Sequence, residues 1–550
     1  MAIRIEVLTE FPAQTEWAEA WTALMEHAGN DEVFCAYEWM KACAEFDREG
    51  QPLILTGYDQ ERLIGLAPFT RRRIRRGVVT SRVIEFLALP WADYCDVIAA
   101  PETRAEFIEQ CLAYLQHEAE PWDELRLGNL AEGSLTANLF SELARARGWH
   151  AQTQTTNIGP VLDLAHTDNA ALDELLEKKG VARKAKTLAR KGKLEFKIAR
   201  EQTEVQLLLQ DFYRFHTVRY LIAGEPSIFD PKSSASLCRL FELLTTNLSP
   251  LGKVCVPALL LDDQPIALYV GFEHRDCLTL YAATFDAGII GTSPGEILAW
   301  EVARYCRAAG IKKLDFGIGD ESYKFRFTNT LRRNCELVIH RGTLQSHASS
   351  ACAQARVFAK QHPALWSTLR QTKHLCRTAR LEMQRAGIKR AAFSFLAEGW
   401  HQLQQPVKTH PHLALTFSPS HQERKLISDT TPLSSLRVPE VKLREWRARD
   451  FVSIVLAYRH TLPSWHFKRA LAYLRQGRRG YLVLENERLT QIVWLNEIDS
   501  EASVPLQPSA LDPATHEIWS VKNYAPGRSA PQHQTDSLPR DPTVSEEQAT

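Results

Sequence analysis

The run GKVCVPALLLDDQPIALYVGFEHRDCLTLYAATFD, residues 252–286, constrains the fold more than any other part of the chain. It spells three strands, near Val254–Leu261, Pro265–Glu273 and Cys277–Phe285, with polar turns at Asp262–Asp263 and His274–Asp276. Such a run predicts an antiparallel meander. The next segment, GIIGTSPGEILAWEVARYCRAAGIKKLDF, predicts a helix. Ser293 is a candidate N-cap, Pro294 takes the first helical position, and Glu296 completes a capping-box pattern. Ile297, Leu298, Val302, Tyr305 and Cys306 form its apolar stripe, and Gly310 closes it. A strand at Lys313–Phe316 then returns. A strand–helix–strand crossover makes the third and fourth strands parallel neighbours in a mixed α/β sheet.

The first amide hydrogens of that helix lack helical partners, and the helix dipole is positive there. Gly291 and Gly295 would let an anionic ligand approach the backbone, although a well-capped helix alone gives the same pattern. Past Phe316 the chain reads GIGDESYKFRFTN. Two glycines and two acids lead into an expected strand, with Tyr323, Phe325 and Phe327 inward and Lys324 and Arg326 on the other face.

At 550 residues, two to four domains are expected. The chain is 45% hydrophobic and 24% charged with zero formal net charge, which argues against a chain devoted to DNA. Its 11 cysteines include no C-x-x-C pair and read as thiols of a reducing compartment. No ligand cluster for a metal emerges. Neither a signal peptide nor an apolar stretch of membrane-spanning length is legible, so the cytoplasm is the expected address.

Upstream, helices are expected at Trp17–Met25 and Val33–Phe46, then two strands that run into the basic segment Arg71–Arg76. The stretch 178–200 carries ten basic residues against one acid, either a solvated helix face or an anion site. Residues 346–403 read as helical, 404–437 as a linker, and 438–499 as strand, helix, helix, strand, turn, strand. From Ser500 the composition suggests disorder.

Taken in order, AYEWM, WADYCDV, the basic helix near Arg183–Arg190, YAATFD, TSPGEIL and LDFGIGDESYKFRF resemble the GNAT acyltransferase superfamily over about residues 10–335. Within it, the sequence is similar to the CelD-like or BioF-like branch tied to cell-envelope and exopolysaccharide genes, itself related to the Fem aminoacyl ligases. The resemblance implies tandem GNAT-like mixed sheets flanked by helices: residues 1–155 as scaffold and acceptor groove, 156–345 as donor half, and a partial third GNAT-like unit at 438–499. It implies an acyl-CoA such as acetyl-CoA as donor substrate, inserted between splayed strands Cys277–Phe285 and Lys313–Phe316. The donor's phosphates would meet Gly291, Thr292, Ser293, Gly295 and Glu296. This turn departs from the usual Gln/Arg-x-x-Gly-x-Gly form, which leaves room for another acyl donor.

On that reading Asp320 or Glu321 takes a proton from an attacking amine or hydroxyl, Lys324 offsets developing negative charge, and Tyr281 protonates the leaving thiolate. Asp93, Tyr94, His216, Arg219 and Arg326 are the candidate acceptor contacts. Each also has a plain structural reading, as core aromatic, satisfied histidine or solvated strand residue. The acceptor implied is a sugar or envelope precursor. Two alternatives stand beside this: a Fem-like ligase that takes its acyl group from aminoacyl-tRNA, with Arg71–Arg76 and 178–200 on RNA phosphates, and a non-catalytic GNAT-fold scaffold.

Overall fold

The computed structural model describes residues 3–342 apart from 77–78, 118, 234–235 and 290, residues 441–495 apart from 460–461, 463 and 486–487, and residues 516–520. The expected helices of 346–403 and the linker at 404–437 lie outside them.

A single 13-stranded mixed sheet runs through the first 342 residues. Its first half contains β1 (Arg4–Leu8), β2 (Gln51–Asp59), β3 (Arg62–Arg76), β4 (Val79–Phe86), the short β5 (Ile98–Ala99) and β6 (Glu124–Ala131). Its second half contains β7 (His150–Asp163), β8 (Leu194–Ala199), β9 (Val254–Leu261), β10 (Gln264–His274), β11 (Cys277–Phe285) and β12 (Lys313–Asp315). The last strand, β13 (Thr330–His340), pairs antiparallel with both β6 and β7 and joins the two halves. The expected tandem sheets are therefore continuous, and β7 crosses the expected boundary at residue 155 without a break.

Helices cover both faces. The first half carries α1 (Thr15–His27), α2 (Tyr37–Phe46), α3 (Pro101–His117) and α4 (Leu135–Ala146). The second carries α5 (Asn169–Leu176), α6 (Lys179–Ala189), α7 (Gln202–Ala223), α8 (Cys238–Leu248) and α9 (Pro294–Ala308). The helix expected from Val33 starts at Tyr37, after a 3₁₀ turn at Val33–Cys35. The meander strands are apolar on both sides because both sides are covered. In β9, Cys255 and Leu259 join the core under α5, α6 and α9, while Val254, Val256, Ala258 and Leu260 join the core under α7 and α8.

The third unit has β14 (Val441–Trp446), α10 (Phe451–Tyr458), α11 (Ser464–Arg475), β15 (Gly480–Glu485), β16 (Arg488–Leu495) and β17 (His516–Ser520) in an antiparallel four-stranded sheet. β17 falls within the tail expected to be disordered. The helices pack against α7, and Phe451, Val455 and Phe467 belong to the same hydrophobic core as α7 and α8. Among the described residues, no helix is long and apolar enough to cross a membrane.

Candidate active site

The parallel pair that the sequence predicts is short. β11 and β12 are in register only over Cys277–Thr279 and Lys313–Asp315. Beyond Thr279 the strands separate. On its other side β11 carries a bulge: Val270 faces Ala282 and Gly271 faces Leu280, so Tyr281 is the extra residue. Backbone groups on the β12 side of β11 from Leu280 onward are released from the parallel pair.

The gap opens into a cavity of about 720 Å³. Its walls bring together Tyr281, Glu321 and Lys324 of the expected catalytic set, Asp93, His216 and Arg219 of the expected acceptor set, and the whole turn Gly291–Glu296. Asp320, Tyr94 and Arg326 are not part of its lining.

Asp93 is the most perturbed acid of the cavity. It reaches across from the first half, where its Oδ2 accepts from the Ile318 N–H at 3.0 Å. Burial, with Asp315 nearby, pushes its pKa up to about 7, against the Ile318 N–H and the charges of Lys324 and Arg332. Its approach depends on Gly317, which has φ 66°. A Cβ at that position would lie 2.6 Å from Asp93 Oδ2 and 3.1 Å from the Leu280 carbonyl.

The segment expected as an alternating strand is instead a 3₁₀ turn at Lys324–Arg326. A turn repeats near every third residue, so Lys324 and Phe327 point inward while Phe325 is 40% exposed. Lys324 Nζ donates to the Ile318 carbonyl at 3.0 Å and pairs with Glu321 at 3.0 Å. Gly319 makes room for this pair: a Cβ there would meet Glu321 Oε2 at 2.2 Å and Lys324 Nζ at 2.8 Å. Asp320 is exposed and outside the cavity.

Tyr281 is a core aromatic whose hydroxyl donates to the Trp91 carbonyl at 2.9 Å, and burial holds it well above the ordinary phenol range. Tyr94 lies behind the cavity. Its hydroxyl donates to Asp315 at 3.0 Å, and the Arg332 guanidinium sits 3.6 Å above its ring. His216 Nδ1 is 2.9 Å from Ser227 Oγ and its ring stacks on Tyr220. Burial, then Arg219, lowers its pKa to about 3, so it is neutral at physiological pH. Arg219 lies 4.2 Å above the Phe285 ring and donates to the Ala283 carbonyl at 3.3 Å. That places it against the end of β11.

At the helix start the expected capping box does not form. Ser293 makes no side-chain cap, and Glu296 turns away to ion pairs with Lys184 of α6 and with Arg326. Burial raises the Glu296 carboxyl, but hydrogen bonds from the two cations outweigh it and the net pKa is lowered. Lys184 Nζ also lies 3.3 Å from Ser293 Oγ. Of the basic stretch 178–200, Lys184 thus reaches the turn, while Lys193, Lys197 and Arg200 pair with acids elsewhere. Gly291 has φ 79° and no heavy atom within 4 Å of a Cβ position, and Gly295 would meet only the Phe285 ring edge at 3.5 Å. The turn is therefore open to a bulky anion. Arg72, in the other basic segment, pairs with Asp47 and Glu85.

Sequence reasoning missed Tyr269, whose hydroxyl is 3.3 Å from that of Tyr323, and Arg475, which reaches the cavity from α11. Tyr269 sits on a predicted strand, but alternation does not tell a cavity wall from a core. No metal-holding group of three His, Cys, Asp or Glu side chains occurs among the described residues.

A splayed parallel pair, a bulge and an open glycine turn at the crossover helix coincide with a match between families. Residues 176–325 match the acetyltransferase (GNAT) domain family. The match begins in α5 and ends at the Lys324 turn, so it takes in β11, the turn, α9 and β12 and leaves Asp93 outside. Among solved structures, the chain is similar to FemX, at 9% identity over 60% of this chain and 96% of that one, with a TM-score of 0.42. It is also similar to a tandem GNAT protein from the clavulanic acid biosynthesis pathway, at 11% identity, 61% and 98% coverage and a TM-score of 0.35. A conserved protein of Bacteroides thetaiotaomicron matches at 8% identity, 62% and 100% coverage and a TM-score of 0.39. Among curated proteins none matches the sequence.

Proposed function

We propose that this protein is an acyltransferase that moves an acyl group from an acyl-CoA to an amine or hydroxyl, with Asp93 as general base. The observation that carries this reading is the Asp93 carboxyl, with a pKa of about 7, inside the gap between β11 and β12. A base poised near the working pH both exists in its ionised form and holds a proton usefully once taken. This reading moves the base from Asp320 or Glu321 to Asp93 and leaves Glu321 to hold Lys324 in place.

The acceptor nucleophile bonds to the acyl carbon as the carbon–sulfur bond breaks. Asp93 takes the acceptor's proton, and the sulfur departs as a thiol once a proton returns to it. Charge that gathers on the acyl oxygen meets backbone N–H groups of β11 beyond Thr279, and the Lys324 ammonium adds a cation beside them. The acceptor class, a sugar or cell-envelope and exopolysaccharide precursor, rests on the sequence resemblance alone.

A thermal-shift titration of the full chain against CoA, acetyl-CoA and longer acyl-CoAs, repeated with Gly295→Glu, tests the donor. A ligand bound only to the folded state at a hundredfold excess over Kd stabilises it by about 2.7 kcal/mol. The expected result is an upward shift that the variant loses. No shift with any thioester sinks the CoA reading and turns the search to aminoacyl-tRNA.

A further inference from the structure

The cavity has a wall that neither GNAT-like half provides. Arg475, the last residue of α11 in the third unit, lines it together with Arg219 of α7. These two differ from the other cations in the cavity and beside its turn. Lys324 is neutralised by Glu321, and Lys184 and Arg326 by Glu296. Among the described residues no carboxylate forms an ion pair with Arg219 or Arg475, and both line the same cavity.

Their position is on the phosphate side of the site. Phe285 is the marker: Arg219 lies over its face at 4.2 Å, and a Cβ on Gly295 of the turn would lie 3.5 Å from its edge. Arg219 is thus separated from the helix start by one ring. The third unit abuts the loop that leads into the turn, since a Cβ on Gly288 would lie 2.1 Å from the Ala448 carbonyl and 3.1 Å from Phe451 Cβ.

The unit is also held there by a built contact. Arg459, buried at 7% exposure, is 3.2 Å from both oxygens of Asp230 on the loop after α7. Arg214 of α7 donates to Ser453 at 3.4 Å, and Phe451 and Val455 complete the shared core. A buried arginine–carboxylate pair fixes orientation, because shifting it would leave two uncompensated charges.

We propose that the third unit completes the donor site: Arg475 and Arg219 bind phosphate groups of the donor, so a unit with no crossover helix among its described residues acts as a ligand-binding wall. The proposal rests on the acyl-CoA reading above. Guanidinium groups suit this task because their planar fork matches phosphate oxygens. A phosphate entering here displaces no internal ion pair of either arginine.

The test is calorimetric titration of the full chain, wild type and Arg475→Gln, with CoA, with acetyl-pantetheine, which lacks the nucleotide phosphates, and with inorganic pyrophosphate. Arg475 is exposed and has no polar partner among the described residues, so the variant should melt with the wild type. Expected is a loss of about tenfold in CoA affinity, about 1.4 kcal/mol, with acetyl-pantetheine changed less than twofold. Arg219→Gln should show the same pattern. Equal CoA affinity in wild type and Arg475→Gln overturns the inference and leaves the donor reading intact. Binding of pyrophosphate but not CoA, weakened in the variant, does the reverse. No binding of any probe by the wild type overturns both.

Discussion

The two halves of the large sheet solve the same topological problem in opposite ways. Each contains a parallel pair joined by a crossover helix: β4 and β6 through α3, β11 and β12 through α9. In both, the register covers three residues, Val83–Glu85 with Glu124–Arg126 in one and Cys277–Thr279 with Lys313–Asp315 in the other. In the first half the chain then fills its own gap. The Cys95 N–H donates to the Asn129 carbonyl at 2.9 Å and Asn129 Nδ2 donates to Ala92 at 2.8 Å, so residues 92–95 bond to β6 where β4 has left it. In the second half the gap stays open as the cavity. The plug of the first half is also the segment that sends Asp93 into the second. The two splays differ in what the loop after the first strand does.

The comparison is most sharply broken at Asp93. Asp93→Asn is expected to lower kcat/KM about 10²–10⁴-fold, the usual worth of a positioned base. In the wild type, log kcat/KM should rise with pH up to an inflection near 7 and then level. His216, with its pKa near 3, cannot supply that limb. Stability runs the other way. The folded pKa is raised, so the folded state holds the Asp93 proton more tightly than the unfolded chain does. Stability is then lost as pH rises from about 4 through about 7. Asp93→Asn should therefore melt above the wild type at pH 8, and a variant that melts lower there would break the assignment.

Next in size are the glycines that each splay requires. Gly317→Ala places a side chain at φ 66° against Asp93 and the Leu280 backbone, and should cost about 1–3 kcal/mol and most of the activity. Gly128→Ala in the first half meets the end of Leu89 at 2.7 Å, a side chain that can turn aside. It should cost about 1 kcal/mol or less with activity kept within a few fold. Denaturant melts paired with initial rates separate the two, and equal loss of activity in both would erase the distinction drawn between the splays.

The smallest effect concerns the open turn. Glu296 neutralises Lys184 and Arg326 beside it. Glu296→Gln should release both cations to a donor phosphate and tighten CoA binding by about two- to fivefold, as one removed like charge near a partly exposed anion site would. Weaker binding in that variant would mean that Glu296 shapes the turn instead of screening it.

Much of the second half was legible because its signals are local. The meander, its two polar turns and the Pro294 helix follow from alternation and capping over a few residues, and the strands lie within a residue or two of where the sequence put them. The run 323–327 misled because alternation of aromatic and basic residues suits a strand, whereas a short turn after two glycines buries Lys324 through contacts with Ile318 and Glu321 that lie outside any periodicity. Glu296 misled similarly. A capping box can be written from four residues, but Lys184, 112 residues upstream, and Arg326, 30 residues downstream, compete for the carboxylate with full charges.

The sequence by itself determined the order of strands and helices in the second half, the crossover that makes β11 and β12 parallel, and the glycines that keep the turn open. These depend on backbone preference and side-chain period, which act between near neighbours. Only the tertiary structure decided which acid enters the gap, which face Arg219 takes, and that Arg475 reaches the same cavity. A perturbed carboxyl needs burial by distant segments, here 93 against 315–318, and a shared cavity needs units hundreds of residues apart to dock. Desolvation and long-range charge pairing come into being only when the chain has closed on itself.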